Sequence, residues 1–572
     1  MPAGMAGLYP FLLIASIPPE QEGLPMPETV LQLDARDNVV VALATLEPGS
    51  VAQFGRGDSS ASCQVAQTIP AKQKMALADL DPGDVIFMYG MVVGEAVKAI
   101  PRGGLLTTFN VRHRTGEYSS ERRPAAIAAP DATAWAERTF MGYRRADGQV
   151  GTRNYWIVLP LVFCENRNVE QMREALEEEL GYGRANNGYR QHVRDLIQSR
   201  SNGRAGGESN AQPKAERIFP NLDGIRFLTH QLGCGGTRQD ARALCGLLAG
   251  YIHHPNVAGA TVLSLGCQNA QASILMEELR ARDPELRKPV LLFEQQKSGH
   301  ESALLGQALD ETYAALAEAN RAHRQPAPLS ALTVGLQCGG SDGFSGISAN
   351  PTVGYVSDLL VGVGGKTMLS EFPELHGVEQ ELIDRCATDE LARRFSNLMQ
   401  AYAARARAVQ SDFAFNPSPG NIRDGLITDA IKSAGAARKG GVSKVSDVID
   451  YPEYATTPGL TLQCTPGNDV ESVTAQVGAG STLVLFTTGL GTPTGNPIAP
   501  VVKISTNSKL AERMDDIIDF DSGGIVSGET TIAACAEKLL ELSIEVASGE
   551  RFTKAEQRGQ VDFIPWKRGV SL

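Results

Sequence analysis

A glycine-rich turn at residues 336–351 carries side chains of several chemical types. It holds a thiol at Cys338, a carboxylate at Asp342, a hydroxyl at Ser345 and an amide at Asn350. Apolar residues precede the turn, which predicts a buried strand that delivers these groups at its carboxyl end. The glycines let the backbone approach a ligand closely and point N–H groups at an anion. We interpret the turn as part of an active site; the alternative is a tight loop that only connects two elements.

Two further cysteines share this context, because Cys234 and Cys267, like Cys338, follow an apolar segment and begin a polar turn. Strand ends converge at one edge of a parallel sheet, so we expect the three thiols to meet and bind a metal. Thiolates bind iron and iron–sulfur clusters, which makes iron the predicted cofactor, either as Fe2+ or as a cluster. The alternative for each cysteine is a small, buried side chain tolerated in a tight turn.

Acid–base chemistry is predicted at His230, Glu371 and Lys432. Glu371 follows a predicted strand, and together with Glu374 it can act as acid and base or bind a metal. Capping of the next helix is the alternative for this pair. His230 lies at a predicted strand end four residues before Cys234. Several turns add groups that suit a polyhydroxylated acid, so the predicted substrate-binding residues are Asp342, Ser345, Asn350, Asn421, Asn468, Asp469 and Thr488.

The elements that must position these groups alternate between strands and helices from about residue 140. Apolar runs at 155–163 and 259–265 predict strands, whereas 271–282 and a long stretch at about 377–410 predict helices. This rhythm predicts an α/β body with largely parallel sheets. Residues 26–116 contain short alternating apolar runs between turn signals, which predicts a small β-rich module before the body.

These patterns divide the chain into five parts. The parts are a disordered or mis-assigned leader at 1–25, the β module at 26–116, a linker at 117–139, and two halves of the α/β body at 140–330 and 331–572. The apolar run in the leader lacks a preceding basic residue and is too short to span a bilayer.

The bulk composition restricts the partners of the protein. The 572 residues carry a net charge of −12, which argues against nucleic acid and against an anionic membrane surface. The nine cysteines are scattered without a CxxC pair, a pattern typical of a reducing cytoplasm. We therefore expect a cytoplasmic protein whose partner is a small hydroxy or sugar acid, with a homodimer as the candidate assembly.

Ordered motifs along nearly the whole chain resemble one known family. They are YRRADGQVGTRN at 143–154, LGCQNAQ at 265–271, the turn at 336–351, SEFPE at 370–374, NPSPGN at 416–421, PGND at 466–469 and FTTGLGTP at 486–493. In this order they resemble the altronate/galactarate dehydratase family. The resemblance implies an N-terminal SAF-type module, a two-part α/β catalytic body and an iron-assisted hydro-lyase of sugar-acid catabolism. Such an enzyme removes a proton α to a carboxylate and expels the β-hydroxyl, which gives a 2-keto acid.

The chain departs from the family pattern at positions that matter for chemistry. Family histidines of the module are replaced by Gln73, Leu105, Thr107 and Phe109, and in the body Gln268, Ile422, Ala430, Ile431 and Leu490 stand where charged residues are expected. We therefore expect a hydro-lyase whose substrate is shifted to a smaller or less charged acid. Two alternatives stay open. One is a catalytically impaired relative that binds a sugar acid or pairs with an active paralogue, and the other is a sulfo-lyase acting on a sulfolactate-like substrate.

Overall fold

The computed structural model describes residues 29–55, 61–124, 128–183, 188–201 and 216–571. The predicted leader at 1–25 lies outside the described residues. Among these, no helix combines the length and the apolar character needed to cross a membrane. All nine cysteines carry free thiols.

The N-terminal part is a module of short antiparallel strands. Its strands are β1 Val30–Leu31, β2 Val39–Ala42, β3 Val51–Phe54, β4 Ala61–Gln64, β5 Lys74–Ala76, β6 Val85–Met88, β7 Met91–Ala96 and β8 Val111–Arg112. They form the sheets β1-β2-β5, β3-β4 and β6-β7-β8. Burial alternates along β6, where Ile86 and Met88 face the core, as expected for a sheet with one solvated face.

The first half of the α/β body is built around a four-stranded parallel sheet. The strands of this half are β9 Thr139–Arg144, β10 Val150–Gly151, β11 Tyr155–Pro160, β12 Gly224–Phe227, β13 Val257–Ser264, β14 Val290–Glu294 and β15 Gln325–Pro328. Its helices are α1 Asn166–Glu179, α2 Gly188–Ser201, α3 Arg238–His253, α4 Ala272–Arg282, α5 Gln295–Ser298 and α6 Glu301–Ala319. The parallel order is β12-β11-β13-β14, and β10-β9-β15 make a separate antiparallel sheet.

The second half is built around a seven-stranded parallel sheet in the order β18-β19-β17-β16-β20-β21-β22. Its strands are β16 Thr333–Cys338, β17 Lys366–Leu369, β18 Val445–Asp450, β19 Gly459–Cys464, β20 Leu483–Thr488, β21 Val501–Ser505 and β22 Phe520–Asp521. Its helices are α7 Ala349–Gly362, α8 Glu379–Arg385, α9 Asp389–Ala408, α10 Pro419–Arg423, α11 Asp429–Ala437, α12 Asp469–Gly478, α13 Ser508–Arg513, α14 Ile532–Ser548 and α15 Lys554–Arg558.

Every residue of the central strands β16, β19 and β20 is buried. Continuous burial is typical of parallel strands that are covered on both faces. The prediction of a small β module followed by an α/β body with largely parallel sheets is confirmed.

The module packs directly on the second half of the body. Ile86 and Leu106 of the module share one buried apolar cluster with Leu336 and Val353 of the body. Hydrogen bonds reinforce this packing, since the Thr428 hydroxyl donates to the backbone oxygen of Val93 at 2.8 Å. Strand β7 and the start of α11 therefore lie at one interface.

Candidate functional site

Two neighbouring parallel strands bring the first functional groups together. β16 ends at Cys338 and pairs with β17, which ends two residues before Glu371. Because parallel strands present their carboxyl ends at one edge, the thiol and the carboxylate meet there. Glu371 has a φ of 65°, in the left-handed region. A non-glycine residue pays a conformational cost in this region, and such residues are concentrated at functional sites.

Five buried side chains form what we call the thiol–carboxylate–lysine cluster: Cys338, Glu371, Glu374, Lys432 and Lys439. Lys439 Nζ lies 2.8 Å from both Cys338 Sγ and Glu371 Oε2. Lys432 Nζ lies 2.7 Å from Glu374 Oε1, and Glu374 Oε2 lies 3.2 Å from the thiol. The Lys439 and Glu371 side chains are only 1% and 0% exposed, so this pair is screened from water. The cluster holds alternating charges in a dry environment.

Burial and neighbouring charge set the protonation of the cluster. Burial raises the pKa of Glu371, and Lys439 only partly offsets this effect. Burial also acts to raise the pKa of Glu374, but Lys432 and Lys439 hold it below its ordinary value. Burial and the Glu374 charge raise the pKa of the Cys338 thiol, which is therefore protonated at neutral pH. The two carboxylates of the cluster thus have pKa values shifted in opposite directions.

Asp469, a predicted substrate-binding residue, lies at the open side of the cluster. It is the first residue of α12, and a Cβ added at Gly339 would lie 2.3 Å from its Oδ2. Burial, followed by the charges of Glu371 and Glu374, raises the pKa of Asp469 to about 8. Asp469 is half-buried, whereas Glu371 is fully buried, so Asp469 lies on the more exposed side of the cluster.

The structure does not bring the three predicted metal-binding thiols together. Cys234 and Cys267 follow strands β12 and β13 of the four-stranded sheet, whereas Cys338 ends a strand of the seven-stranded sheet. Strand ends converge only within one sheet, and the prediction treated the two halves as one. Cys234 and Cys267 are exposed, and Cys338 is buried.

Among the described residues, ligand-type atoms of three side chains lie within 4.8 Å of one another in two groups: Cys338 with Glu371 and Glu374, and His113 with His376 and Asp429.

His230, a predicted acid–base residue, lies apart from the cluster. It follows β12 in the first half and is buried. Its Nε2 is 2.9 Å from the backbone oxygen of Pro160, and its Nδ1 accepts from the Leu232 N–H at 3.2 Å. Burial lowers the pKa of His230 to about 4. Both ring nitrogens are engaged by the backbone, which is typical of a histidine that fixes a strand end.

Asp342 joins the module to the body. Its Oδ2 lies 2.9 Å from Lys72 Nζ, and the Ser345 hydroxyl donates to its Oδ1 at 3.1 Å. Lys72 also pairs with Asp424 at 3.1 Å. Asp342 and Ser345 were both predicted to bind substrate, and both side chains are buried with their oxygens paired to protein groups.

The other predicted substrate-binding residues mostly support the turns around the cluster. Asn350 accepts from the Thr487 hydroxyl at 2.6 Å and donates to the Gly435 backbone oxygen at 2.9 Å. Thr488 accepts from the Gly491 N–H at 2.9 Å. Asn421 completes the capping box of α10 and donates to the Ser341 backbone oxygen at 2.7 Å, while Asn468 caps α12 and is exposed.

Lys439 and Gln337 contact Glu371 but are not among the predicted site residues. Gln337 Nε2 donates to Glu371 Oε1 at 2.6 Å, and Lys439 neutralises the same carboxylate. Lys439 lies in Arg438-Lys439-Gly440-Gly441, a pattern typical of an exposed basic turn, so the local sequence gave no signal. Gln337 was inside the first motif and was passed over because it precedes the turn.

Three family models together match most of the chain. Residues 28–114 match the family model described as Altronate/galactarate dehydratase SAF domain. Residues 142–320 match D-galactarate dehydratase/Altronate hydrolase, second domain, and residues 329–571 match D-galactarate/Altronate dehydratase, C-terminal. The predicted SAF-type module is confirmed by the first of these matches.

Curated relatives extend over most of the chain. Altronate dehydratase of Escherichia coli (strain K12) is 32% identical over 542 residues, which cover 95% of this chain and 99% of the relative. Galactarate dehydratase (L-threo-forming) of the same organism is 34% identical and covers 87% of this chain and 89% of the relative. The (2R)-sulfolactate sulfo-lyase subunit beta of Chromohalobacter salexigens is 31% identical and covers 75% of this chain and 97% of the relative.

Proposed function

Because the chain belongs to the altronate/galactarate dehydratase family, we propose that it is a hydro-lyase that converts a sugar acid into a 2-keto acid. The observation that carries the proposal is the thiol–carboxylate–lysine cluster with Asp469 at its open side. It combines a carboxylate suited to accept a proton with a carboxylic acid suited to donate one.

Glu371 is the proposed base. Its raised pKa increases its proton affinity, and the Lys439 ammonium at 2.8 Å favours the ionised form of the carboxylate. A substrate held with its α-carbon near Glu371 loses the α-proton to this carboxylate, and the C–H electron pair becomes the new C–C double bond. The left-handed backbone at Glu371 and the hydrogen bond from Gln337 fix the direction of the carboxylate. Such fixed positioning is a main source of rate in proton transfer.

Asp469 is the proposed acid. With a pKa of about 8 it is largely protonated at pH 7, and it is less buried than Glu371. The β-hydroxyl leaves with its bonding electrons, takes the Asp469 proton and departs as water. The resulting enol then takes a proton at the β-carbon and becomes the 2-keto acid, so atoms and charges balance.

The lysines stabilise negative charge in the reaction. Attraction to the buried anions of the cluster raises the pKa of Lys432 and of Lys439 above their ordinary values, so both stay charged. Lys432 also contacts Asn416 at 3.3 Å, which places its ammonium at the edge of the cluster. A fixed positive charge beside a developing enolate lowers the energy of the transition state.

We further propose that the substrate is smaller or less charged than altronate or galactarate. Leu490 replaces an expected cationic residue, and its Cβ would lie 3.3 Å from a Cβ added at Gly340. The Cδ1 atom of Leu490 would likewise lie 3.7 Å from a Cβ added at Gly420. An apolar side chain over these two glycines removes a carboxylate partner from the rim.

The cytoplasmic location and the homodimer remain predictions from the sequence.

A sulfo-lyase is the second candidate. The beta subunit of the sulfolactate sulfo-lyase aligns over 75% of this chain, so the same scaffold occurs in a protein named for a different leaving group. In that reaction the same α-proton is removed, and sulfite leaves in place of water.

Iron, which the family resemblance implies, does not fit the thiol–carboxylate–lysine cluster. The Glu371 and Glu374 carboxylates are already paired with lysines at 2.7–2.8 Å, and Lys439 also contacts the thiol. The predicted set of three cysteines does not fit either, because its members lie on two different sheets. No step of the mechanism above is therefore routed through a metal.

The test is a dehydration assay with a panel of aldonates, aldarates, smaller 2,3-dihydroxy acids and 3-sulfolactate, scored for 2-keto acid, pyruvate and sulfite. Anaerobically purified protein is supplied with Fe2+. We expect turnover of at least one acid and a drop of at least about 100-fold in kcat for Glu371→Gln. Release of sulfite alone would establish the sulfo-lyase. Silence across the panel would contradict both and favour a catalytically impaired relative.

A further inference from the structure

Two histidines and one aspartate meet where the β module packs on the body. His113 follows β8 of the module, His376 lies in the turn after β17, and Asp429 is the first residue of α11. Their ligand-type atoms lie within 4.8 Å of one another. None of the three belongs to the thiol–carboxylate–lysine cluster, and the proposed mechanism uses none of them.

The polar atoms of this group lack partners. Neither ring nitrogen of His113 has a hydrogen-bond partner among the described residues, although both atoms are buried. Asp429 Oδ1 is likewise buried and unpaired, and the Asp429 side chain is 0% exposed. Leaving a buried polar atom unpaired costs about 1–3 kcal/mol, so three such atoms in one place indicate a missing partner.

The arrangement of the side chains suits a metal ion as this partner. His376 Nδ1 lies 3.0 Å from Asp429 Oδ2, and the His113 and His376 rings stack at 5.1 Å between centroids. Ligand atoms at about 2.0–2.2 Å from one ion are about 3–3.5 Å apart, so small side-chain rotations bring all three into range. Two imidazoles and one carboxylate are the ligand set that non-haem Fe2+ and related ions take.

The electrostatic environment attracts a cation. The carboxylates of Glu379 and Asp412 lie near His376 and add negative charge to that of Asp429. The side chain of His376 is 25% exposed, which provides an entry path for an ion.

We propose that His113, His376 and Asp429 bind one divalent first-row transition ion and that this ion ties the β module to the body. His113 is the residue of the β module that supplies a ligand. When bound, such an ion supplies a Lewis acid for a carboxylate or hydroxyl oxygen.

In the sequence, two of the three residues lie close to proposed catalytic groups. The turn that carries Glu371 and Glu374 also carries His376, and α11 carries both Asp429 and Lys432. The inference goes beyond the proposed function, because it concerns metal binding that is measurable without turnover.

The test is metal binding by the full chain after removal of metal with a chelator. Titration calorimetry with Zn2+ and the visible absorption of Co2+ report affinity, stoichiometry and ligand type. We expect one ion per chain, with affinity reduced at least about 10-fold in both His113→Ala and Asp429→Asn. The matched control is His323→Ala, which removes an exposed histidine elsewhere and should leave the affinity unchanged.

A second measurement covers variants that fold poorly. Saturating Zn2+ should raise the melting temperature of the unmodified chain and of His323→Ala, because an ion that binds only the folded state stabilises it. The melting temperature of His113→Ala and Asp429→Asn should not respond. Absence of binding, or binding and stabilisation that survive both substitutions, would overturn the proposal and leave the His376–Asp429 pair as a structural contact.

Discussion

Replacing Lys439 by methionine tests the role of the buried charge pair. The Lys439 ammonium contacts both Glu371 Oε2 and Cys338 Sγ at 2.8 Å, and its side chain is 1% exposed. Lys439→Met keeps the length and apolar stem of the side chain but leaves Glu371 buried without its cation. Removing one partner of a buried ion pair costs about 3–5 kcal/mol. We therefore expect strong destabilisation of the second half of the body.

The size of the effect can be converted into a melting temperature. The second half matches a family model over residues 329–571, a unit of the size in which 1 kcal/mol shifts the melting temperature by about 2–4 °C. The expected decrease is therefore about 6–20 °C. The matched control is Lys444→Met, which removes an exposed lysine and should shift the melting temperature by less than about 2 °C.

A double-mutant cycle separates the charge pair from packing. Glu371→Gln keeps the shape of the side chain but removes its charge, so the double variant Lys439→Met/Glu371→Gln buries no unpaired charge. We expect the double variant to melt well above the value obtained by adding the two single effects. Scanning calorimetry at pH 7 gives all four values. Additive effects, or a decrease below about 2 °C for Lys439→Met, would refute the claim that this pair is a screened, mutually dependent unit.

Two further predictions concern Asp469 and His230. The folded-state pKa of Asp469, about 8, exceeds its unfolded value of about 3.9, so its contribution to stability is fully present below about pH 4 and is lost as pH rises to 8. Asp469→Asn should therefore gain stability relative to the unmodified chain between pH 5 and 8 in calorimetric scans, and an unchanged difference would contradict the raised pKa. His230→Ala should lower the melting temperature by several degrees, because it removes contacts with Pro160 and Leu232, but should change kcat by less than about 3-fold. A loss of 100-fold in kcat would instead place His230 in the reaction.

Local sequence pattern predicted much of the fold. The strand before the first turn was expected from about residue 332 and is Thr333–Cys338, and the helix expected at 271–282 is Ala272–Arg282. The stretch at 377–410 was expected to be one helix, but the structure has two: α8 ends at Arg385, and α9 begins at Asp389. There Cys386 forms a bridge with Val445, and Thr388 caps the next helix. A contact with a distant strand decides this break, and no local pattern encodes it.

The sequence predicted site residues only where they follow a strand directly or lie in a recognisable motif. Glu371 and Lys432 were identified, and the structure places them in one cluster. Lys439 was missed, because a basic turn gives no sign that its lysine is buried against a carboxylate. The three thiols were expected to meet at one sheet edge, whereas the structure places their strands in two sheets, since sequence alone does not say which strands pair. His113 and His376 escaped attention because they are 263 residues apart and meet only through the packing of the module on the body.

The most direct test of the central claim is the fate of hydrogen during turnover of the best acid of the panel in D2O. Removal of the α-proton by Glu371 and loss of the β-hydroxyl give an enol, which takes its new hydrogen from solvent. The account predicts a 2-keto acid that carries one deuteron at C3, seen by proton NMR, with its formation greatly slowed in Glu371→Gln. A product in which the hydrogen from C2 of the substrate has moved to C3 would contradict this account. Equal rates for the unmodified chain and Glu371→Gln would contradict it as well.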